Sequence, residues 1–258
     1  MGQLMRCDGG LATELQRQGL PQHTPIDEWV LHHPDRVLAA QRAFVDAGAQ
    51  ILLTATFRAL PSLQPAWEAV IDSAVRIARD AAGTRAEVWG SIGPSGRAWS
   101  GLKSAARLRT TEDWGQMARS LAPQVDGLIL ETFLDPIEAG AALYAVRVEA
   151  PHTPVVVSLS PREDGSLLGG QEPGPALAAL HAAGATALGF NCGLGPEGVL
   201  RAAARCSQTN LWLRPAGDPD NPQALATALS AYVSRCAVIG GCCRAGPDAI
   251  SALEALGA

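Results

Sequence analysis

Lysine is almost absent from this chain of 258 residues, because Lys103 stands alone among the 20 Lys and Arg residues. Schiff-base aldolases and pyridoxal enzymes require a lysine inside the active site. Lys103 lies in a segment that has the character of a loop. The sequence therefore argues against both of these enzyme classes.

Long apolar runs are also absent. No stretch approaches the roughly 20 apolar residues of a membrane span, and the N-terminus MGQLMRCDGG lacks the apolar core of a signal peptide. The formal net charge is −5 and the positive charges are scattered, which argues against a nucleic-acid partner. We expect a cytoplasmic protein with no membrane and no nucleic-acid partner. In a reducing compartment its six cysteines are expected to be metal ligands, catalytic groups or core residues, not disulfides.

Short runs rich in Val, Ile and Leu recur along the chain and are typical of buried strands. We predict eight strands, at Leu4–Asp8, Gln50–Phe57, Glu87–Gly93, Gly127–Phe133, Val155–Pro161, Ala187–Cys192, Leu211–Ala216 and Ala237–Cys242. Segments with apolar residues at helical spacing alternate with them. These predict helices at Pro34–Ala47, Ala66–Ala81, Thr111–Pro123, Pro136–Val148, Pro175–Ala183, Pro196–Cys206, Pro222–Ser234 and Pro247–Ala255.

Eight alternating strand and helix units predict a single (β/α)8 TIM barrel, with its site at the C-terminal ends of the strands. An open doubly wound sheet is the alternative and would place a site at a topological switch point. No repeat or linker suggests a second domain, so we expect residues 1–258 to form one domain. The glycine-rich loop Gly90–Gly96 contains Pro94 and opens no clear helix, which favours a turn over a dinucleotide site.

The predicted strands sort the cysteines into two groups. Cys242 and Cys243 end the eighth strand and Cys192 ends the sixth, so all three belong to the C-terminal mouth of the barrel. Cys236 begins the eighth strand, roughly 20 Å away at 3.3 Å per residue, and Cys206 ends a helix that runs back to that far face. Cys7 is assigned to the core, because strand alternation directs its side chain away from that of Asp8.

Three thiols at one mouth are suited to bind one Zn²⁺ with an open fourth position, the pattern of a catalytic zinc. A vicinal disulfide and ordinary buried thiols are the alternatives. Three thiolates give the site a net charge of −1, which disfavours zinc-hydroxide hydrolysis and favours a substrate thiol held as an electron-rich thiolate. The expected reaction is S-alkylation. A histidine-based metal hydrolase is a weaker candidate, because no strand end carries an HxH pair.

Five motifs resemble the homocysteine S-methyltransferase family, which includes the homocysteine-binding domain of cobalamin-dependent methionine synthase. They are DGGLATEL at Asp8–Leu15, GSIGP at Gly90–Pro94, LETF at Leu130–Phe133, GFNCGLGP at Gly189–Pro196 and IGGCCR at Ile239–Arg244. The resemblance implies a (β/α)8 barrel in which Cys192, Cys242 and Cys243 bind zinc. It also implies that homocysteine is activated as a zinc-bound thiolate and methylated on sulfur to give methionine.

Substrate-binding residues follow from the ends of strands one and four. The backbone amides of Gly9 and Gly10, before a helix-like segment, are candidates for the carboxylate of an amino acid. By the same resemblance Glu131 is the candidate for the amine, with Asp8 as a second acid. The alternative makes Asp8 a helix cap and Glu131 a structural ion-pair partner. Thr132 and Asn191 are assigned to supporting hydrogen bonds.

Two departures from the family pattern affect the choice of ligand. The chain has Ala55 where the family usually reads T-N-T and Ala216 where it reads P-N-[AS]-G, so two hydrogen-bonding asparagines are missing. Trp29, Thr54 and Thr56 are assigned to the donor side. The methyl donor is left open among a methylcorrinoid protein, S-methylmethionine, S-adenosylmethionine and a betaine-like compound.

Two other functions are kept beside homocysteine methylation. One is a thiol-binding subunit that depends on a separate corrinoid protein, or a methyltransferase for a different thiol, as the missing asparagines permit. The other is a thiol-redox or zinc-storage protein that uses Cys242 and Cys243.

Overall fold

The computed structural model describes residues 3–22, 24–193 and 195–257 of the chain, so five residues of the predicted domain 1–258 lie outside it. Eight parallel strands form one sheet in the order β1-β8-β7-β6-β5-β4-β3-β2. The strands are β1 (Met5–Arg6), β2 (Ile51–Leu53), β3 (Glu87–Ile92), β4 (Gly127–Phe133), β5 (Val155–Leu159), β6 (Ala187–Cys192), β7 (Leu211–Pro215) and β8 (Cys236–Ile239).

The sheet closes between its two ends, β1 and β2. Cys7 and Ile51 form a parallel bridge, and the Asp8 amide donates to the Ile51 carbonyl oxygen at 3.0 Å. The Gln50 amide donates to the carbonyl oxygen of Arg6 at 2.7 Å. The predicted (β/α)8 barrel is therefore confirmed and the open doubly wound sheet is excluded.

Ten α-helices surround the described part of the barrel. They are α1 (Leu11–Arg17), α2 (Ile26–His32), α3 (Pro34–Asp46), α4 (Trp67–Ala82), α5 (Ser104–Leu121), α6 (Pro136–Glu149), α7 (Pro173–Ala182), α8 (Pro196–Ala204), α9 (Gln223–Leu229) and α10 (Pro247–Ala252). The prediction placed the start of α5 at Thr111, seven residues too late. The polar first turns of this helix carry exposed side chains and therefore hid its apolar period. The end of α9 was placed at Ser234, but the chain turns into a 3-10 helix at Ser230–Arg235.

Two apolar cores hold the fold together. The larger one lies between the strands and the helices, and the smaller one fills the barrel interior. The interior core is made of Cys7, Ile51, Leu53, Trp89, Ile129, Val156, Trp212 and Val238. Side chains two residues further along the same strands face the same way and lie toward the C-terminal mouth. Among the described helices, none combines the length and the apolar character needed to cross a membrane.

Candidate active site

Three cysteine thiols converge at the C-terminal mouth of the barrel. Cys192 is the last residue of β6, and Cys242 and Cys243 lie in the loop after β8. Their Sγ atoms all lie within 4.8 Å of one another, and those of Cys192 and Cys243 are 3.7 Å apart. Tetrahedral zinc with Zn–S bonds of about 2.3 Å holds its sulfur ligands about 3.8 Å apart. The spacing of the thiols therefore fits the ion that the sequence predicted.

The pKa values of the three thiols differ from one another. Hydrogen bonds with the other two thiols lower the pKa of Cys243, whereas hydrogen bonds with them and burial raise the pKa of Cys192. Cys243 is also the exposed member of the cluster. Cys243 is therefore the thiol of this cluster whose pKa is lowered.

Asn191 ties the cysteine cluster to the end of β4. Its Nδ2 donates to the Cys242 Sγ at 3.5 Å and to the Thr132 Oγ1 at 2.7 Å. Its Oδ1 accepts from the Thr132 amide at 2.9 Å and from the Ser158 hydroxyl at 2.7 Å. These bonds hold Thr132 at a φ of 63°, a costly conformation for a β-branched residue. Asn191 thus links the backbone and side chain of Thr132 to the thiol of Cys242.

Cys192 is itself strained, with a φ of 68°. Its carbonyl oxygen accepts from the Ala216 amide at 3.2 Å, which fixes this backbone against the end of β7. Strained non-glycine residues at strand ends are typical of functional sites. The strain at Cys192 serves to aim its thiol at the loop after β8.

Gly9 and Gly10 let the end of β1 approach the cysteine loop. A Cβ atom on Gly9 would lie 2.2 Å from the carbonyl oxygen of Ala245, and one on Gly10 would lie 2.7 Å from that of Cys242. The Gly10 amide donates to the Ala245 carbonyl oxygen at 2.9 Å, so this amide is used within the protein. The glycines are needed for backbone packing, whereas the sequence interpretation gave them to the ligand alone.

Free amides occur slightly further along, in the first turn of α1. Among the described residues, the amides of Ala12 and Thr13 have no backbone carbonyl as acceptor. Both residues line a cavity of about 240 Å³ that also contains the three cysteines. A carboxylate is favoured at such a helix start. Asp8 does not cap this helix, because the N-cap is Gly10 and it makes no side-chain cap bond.

Trp29, expected on the donor side, does not line this cavity in the described part of the chain. Its ring is buried, packs against His33 at 5.0 Å between centroids, and lies under the Arg36 guanidinium at 5.1 Å. The aromatic side chain that lines the cavity is Phe57, together with Ile26 from α2. Trp29 lies one turn after Ile26 on α2, and the sequence pattern could not show which of the two lines the cavity.

Thr54 and Thr56 are used to join β2 and β3. The Thr56 hydroxyl donates to the Ser91 carbonyl oxygen at 2.6 Å, and the Ser91 amide donates to the Thr54 Oγ1 at 3.0 Å. The two threonine hydroxyls are 2.7 Å apart, so the proton of Thr54 goes to Thr56. Thr54 lines the cavity, and Thr56 is fully buried.

Arg214 is the site residue that the sequence interpretation missed. It lies on β7 and is 3% exposed, and its Nη1 donates to the Glu131 Oε2 at 2.8 Å. Its Nη2 lies 3.6 Å from the Asp8 Oδ1. An arginine inside an otherwise apolar strand, two residues after the inward-facing Trp212, was the signal for a charge in the barrel interior.

The two acids are also bonded to other groups. The Asp8 Oδ2 accepts from the Leu53 amide at 2.8 Å, and the Glu131 Oε1 accepts from the Ser91 hydroxyl at 2.6 Å. Burial raises the pKa of Asp8 to about 7, although Arg214 and the Leu53 amide act in the opposite direction. Glu131 forms an ion pair with Arg214, which is the structural role that one of the two sequence interpretations gave it. It also lines the cavity.

The other three cysteines lie apart from the cluster. Cys7 is fully buried in the interior core, as predicted. Its thiol nevertheless donates to the Asp8 Oδ1 at 3.4 Å, so the prediction that the two side chains diverge is wrong. β1 ends at Arg6, and Asp8 lies beyond the bridge that Cys7 forms with Ile51. Cys236 begins β8, and Cys206 follows α8.

Comparison with known proteins places this site in a family. The sequence model described as homocysteine S-methyltransferase matches residues 5–256. The chain belongs to the homocysteine S-methyltransferase family. This result confirms the resemblance that the motifs indicated.

Individual relatives are similar along half of the chain or more. The S-methylmethionine–homocysteine S-methyltransferase BHMT2 of Rattus norvegicus is 31% identical over 205 residues, which are 76% of this chain and 53% of that protein. The methionine synthase of Mycobacterium leprae is 29% identical over 150 residues, 50% of this chain and 12% of that protein. The chain thus spans about half the length of BHMT2 and a small part of methionine synthase.

A solved structure of the family covers nearly the whole chain. The metallated form of the homocysteine methyltransferase MmuM from Escherichia coli has a TM-score of 0.79 and 25% sequence identity, and the match covers 98% of this chain and 96% of that one. The oxidised form has a TM-score of 0.77. The family's barrel is therefore preserved here without a large insertion or deletion.

Proposed function

We propose that this protein is a zinc-dependent S-methyltransferase that transfers a methyl group to the sulfur of homocysteine and releases methionine. Three convergent thiols at the mouth of the barrel support the proposal most directly. Membership of the family supports homocysteine as the first acceptor to test. Because three reduced thiols are required, we place the activity in the cytoplasm.

Cys192, Cys242 and Cys243 would hold one zinc ion per chain. When bound, zinc supplies a fourth position at which the acceptor's sulfur is kept as a thiolate near neutral pH. The protein supports this arrangement through Asn191, which donates to Cys242. A hydrogen bond from an amide to a ligand sulfur reduces the charge on that sulfur and fixes its orientation.

The chain's own part in the reaction is mainly to position the acceptor. The cavity joins the cysteines to the first turn of α1, where the Ala12 and Thr13 amides favour the acceptor's carboxylate. Asp8, Gly9, Gly10, Glu131 and Thr132 line the same cavity and complete the acceptor's surroundings. When the acceptor's sulfur and the donor's methyl carbon are held in line, the reaction between two molecules becomes effectively unimolecular.

The donor approaches from the open mouth, past Phe57 and Ile26. BHMT2 carries S-methylmethionine in its name, and this sulfonium compound is the donor to test first. A sulfonium cation is attracted to an aromatic face such as that of Phe57. The likeness to part of methionine synthase supports a methylcorrinoid on a separate protein as the second candidate.

The decisive experiment combines metal content with product formation. Zinc-loaded wild type is incubated with homocysteine and S-methylmethionine, and methionine is measured by mass spectrometry. The matched controls are Cys243→Ser, which removes a proposed ligand, and Cys206→Ser, which removes a thiol outside the cluster. We expect methionine from the wild type and Cys206→Ser only. Equal turnover by Cys243→Ser would contradict the proposal.

Failure of S-methylmethionine alone would point to the other donors. A methylcorrinoid compound, S-adenosylmethionine and betaine are then tested in turn with the same variants. Zinc bound without any thiol binding would favour the zinc-storage alternative. Homocysteine binding without methylation by any donor would favour the thiol-binding subunit.

A further inference from the structure

Arg214 completes a buried group of three ionisable side chains inside the acceptor cavity. Its guanidinium contacts Glu131 at 2.8 Å and lies 3.6 Å from Asp8, and the side chains of these two acids are 10% and 3% exposed. All three residues line the cavity that contains the cysteines. Glu131 and Asp8 are the acids that the sequence assigned to the acceptor's ammonium group, so an internal cation already occupies part of their bonding capacity.

The carboxylate oxygens of this group already accept hydrogen bonds from the protein. Each of the four carboxylate oxygens has a protein partner, from Cys7, Leu53, Ser91 or Arg214. Within the described residues, the one buried polar side-chain atom of the three that lacks a partner is the Arg214 Nε, a donor. An ammonium group would bring three more donors to carboxylate oxygens that already accept from the protein.

We infer that Arg214 is a specificity-determining residue that takes the place of the acceptor's ammonium group. By pairing with Glu131 and Asp8, it makes the site accept thiol carboxylates without an α-amine at least as well as homocysteine. The inference rests on the proposed function, because it concerns the acceptor of the same reaction. It names the acceptor class as small mercaptocarboxylates.

The tolerance for a missing amine depends on whether the buried carboxylates then lose their hydrogen-bond partner. A site built to bond an NH group rejects analogues that lack it, because its own buried polar groups then lose their partner. Here Glu131 and Asp8 keep Arg214 as their partner whichever thiol is bound. The penalty for a missing amine therefore disappears. An ammonium group placed beside Glu131 would also face the positive charge of Arg214 in a buried environment.

The test compares homocysteine with 4-mercaptobutanoate, which differs from it only by the α-amine. Dissociation constants for both thiols are measured by calorimetry on the zinc-loaded full chain, for the wild type and Arg214→Gln. For the wild type we expect 4-mercaptobutanoate to bind within about threefold of homocysteine or more tightly. In Arg214→Gln the freed acids need the amine, so the ratio should shift at least about 10-fold toward homocysteine.

Two further variants keep the test independent of folding problems. Arg214→Lys keeps a cation and should preserve most of the wild-type ratio, although it cannot span both acids as a guanidinium does. Glu131→Gln should weaken both thiols equally, because Glu131 contacts Arg214 and not the amine. The control Arg85→Gln removes an arginine from an exposed pair with Asp46 and should change nothing.

The outcomes separate this inference from the proposed function. A wild-type preference for homocysteine of more than about threefold would overturn the inference alone. An unchanged ratio in a folded Arg214→Gln, or a loss of homocysteine binding only in Glu131→Gln, would do the same. Binding of neither thiol to the zinc-loaded wild type would overturn the proposed function and the inference together.

Discussion

The Sγ atoms of Cys192 and Cys243 lie 3.7 Å apart, although the two residues are separated by 51 positions in the chain. This distance matches the edge of a tetrahedral zinc–sulfur site, about 3.8 Å for Zn–S bonds of about 2.3 Å. The cluster therefore has the shape of a metal site before a metal is added. Two of its three thiols belong to the adjacent residues Cys242 and Cys243, and the third belongs to Cys192 at the end of β6.

The first prediction concerns zinc stoichiometry. Wild-type protein should bind one zinc per chain, measured by atomic emission after dialysis, and Cys192→Ser should lose it because a serine hydroxyl is a poor substitute for thiolate. Cys206→Ser and Cys236→Ser are the matched controls and should retain the metal. Full zinc content in Cys192→Ser would show that the cluster is not the binding site.

The positions of these cysteines could be predicted because they depend on topology alone. Once eight strands alternate with helices, the ends of β6 and β8 must meet at one mouth, and Cys236 must lie at the other. No side-chain detail enters this argument. Asn191 and Glu131 were assigned through the family resemblance instead, and each lies near the C-terminal end of its strand.

The second prediction concerns Asn191, which donates to the Cys242 Sγ at 3.5 Å. Asn191→Ala should keep the stoichiometry of one zinc but weaken the affinity by about 10- to 100-fold, the usual cost of losing a group that supports a ligand. Competition with a chromophoric chelator measures this change. Asn221→Ala, at an exposed position, is the control and should bind zinc like the wild type.

Other parts of the site escaped prediction because they depend on which atoms meet in space. Arg214 looked like one arginine among many, and only the assembled barrel shows that it lies between Asp8 and Glu131. The sequence assigns the Gly10 amide to a ligand, but this amide donates to the Ala245 carbonyl oxygen of the cysteine loop. Trp29 is the residue type that could bind a cationic methyl donor through its ring, but that ring packs under the guanidinium of Arg36. Sequence periodicity gives the face of an element, not the partner on that face.

The third prediction concerns pH and Asp8, whose pKa burial raises to about 7. Between its ordinary value and about 7, the folded protein binds a proton that the unfolded chain has released. Stability from this group is therefore full below about pH 4 and is lost as the pH rises through 7. The contribution of Asp8 to the free energy of unfolding should fall by up to about 4 kcal/mol across this window.

Asp8→Asn provides the comparison, because an amide does not titrate. Urea unfolding at a series of pH values should give a weaker fall for Asp8→Asn than for the wild type between pH 4 and pH 7. Asp46→Asn changes an exposed acid and should keep the wild-type slope. Parallel slopes for Asp8→Asn and the wild type would mean that Asp8 ionises near its ordinary pKa in the folded protein.

The last prediction separates the barrel's stability from its chemistry. Trp212 on β7 is 5% exposed, and its ring packs against that of Trp89 on β3, with 4.8 Å between centroids. The pair crosses the barrel interior one layer below Arg214 and Ser91, so it supports the floor of the site. Trp212→Ala should cost about 3–5 kcal/mol in urea unfolding, because the interior cannot collapse onto the vacated volume. Tyr144→Ala removes an exposed ring from α6 and should cost much less.

Under native conditions the folded Trp212→Ala should still bind one zinc, because none of the three cysteines belongs to this layer. Loss of zinc from a protein that remains folded would show that the interior layer also positions the thiols.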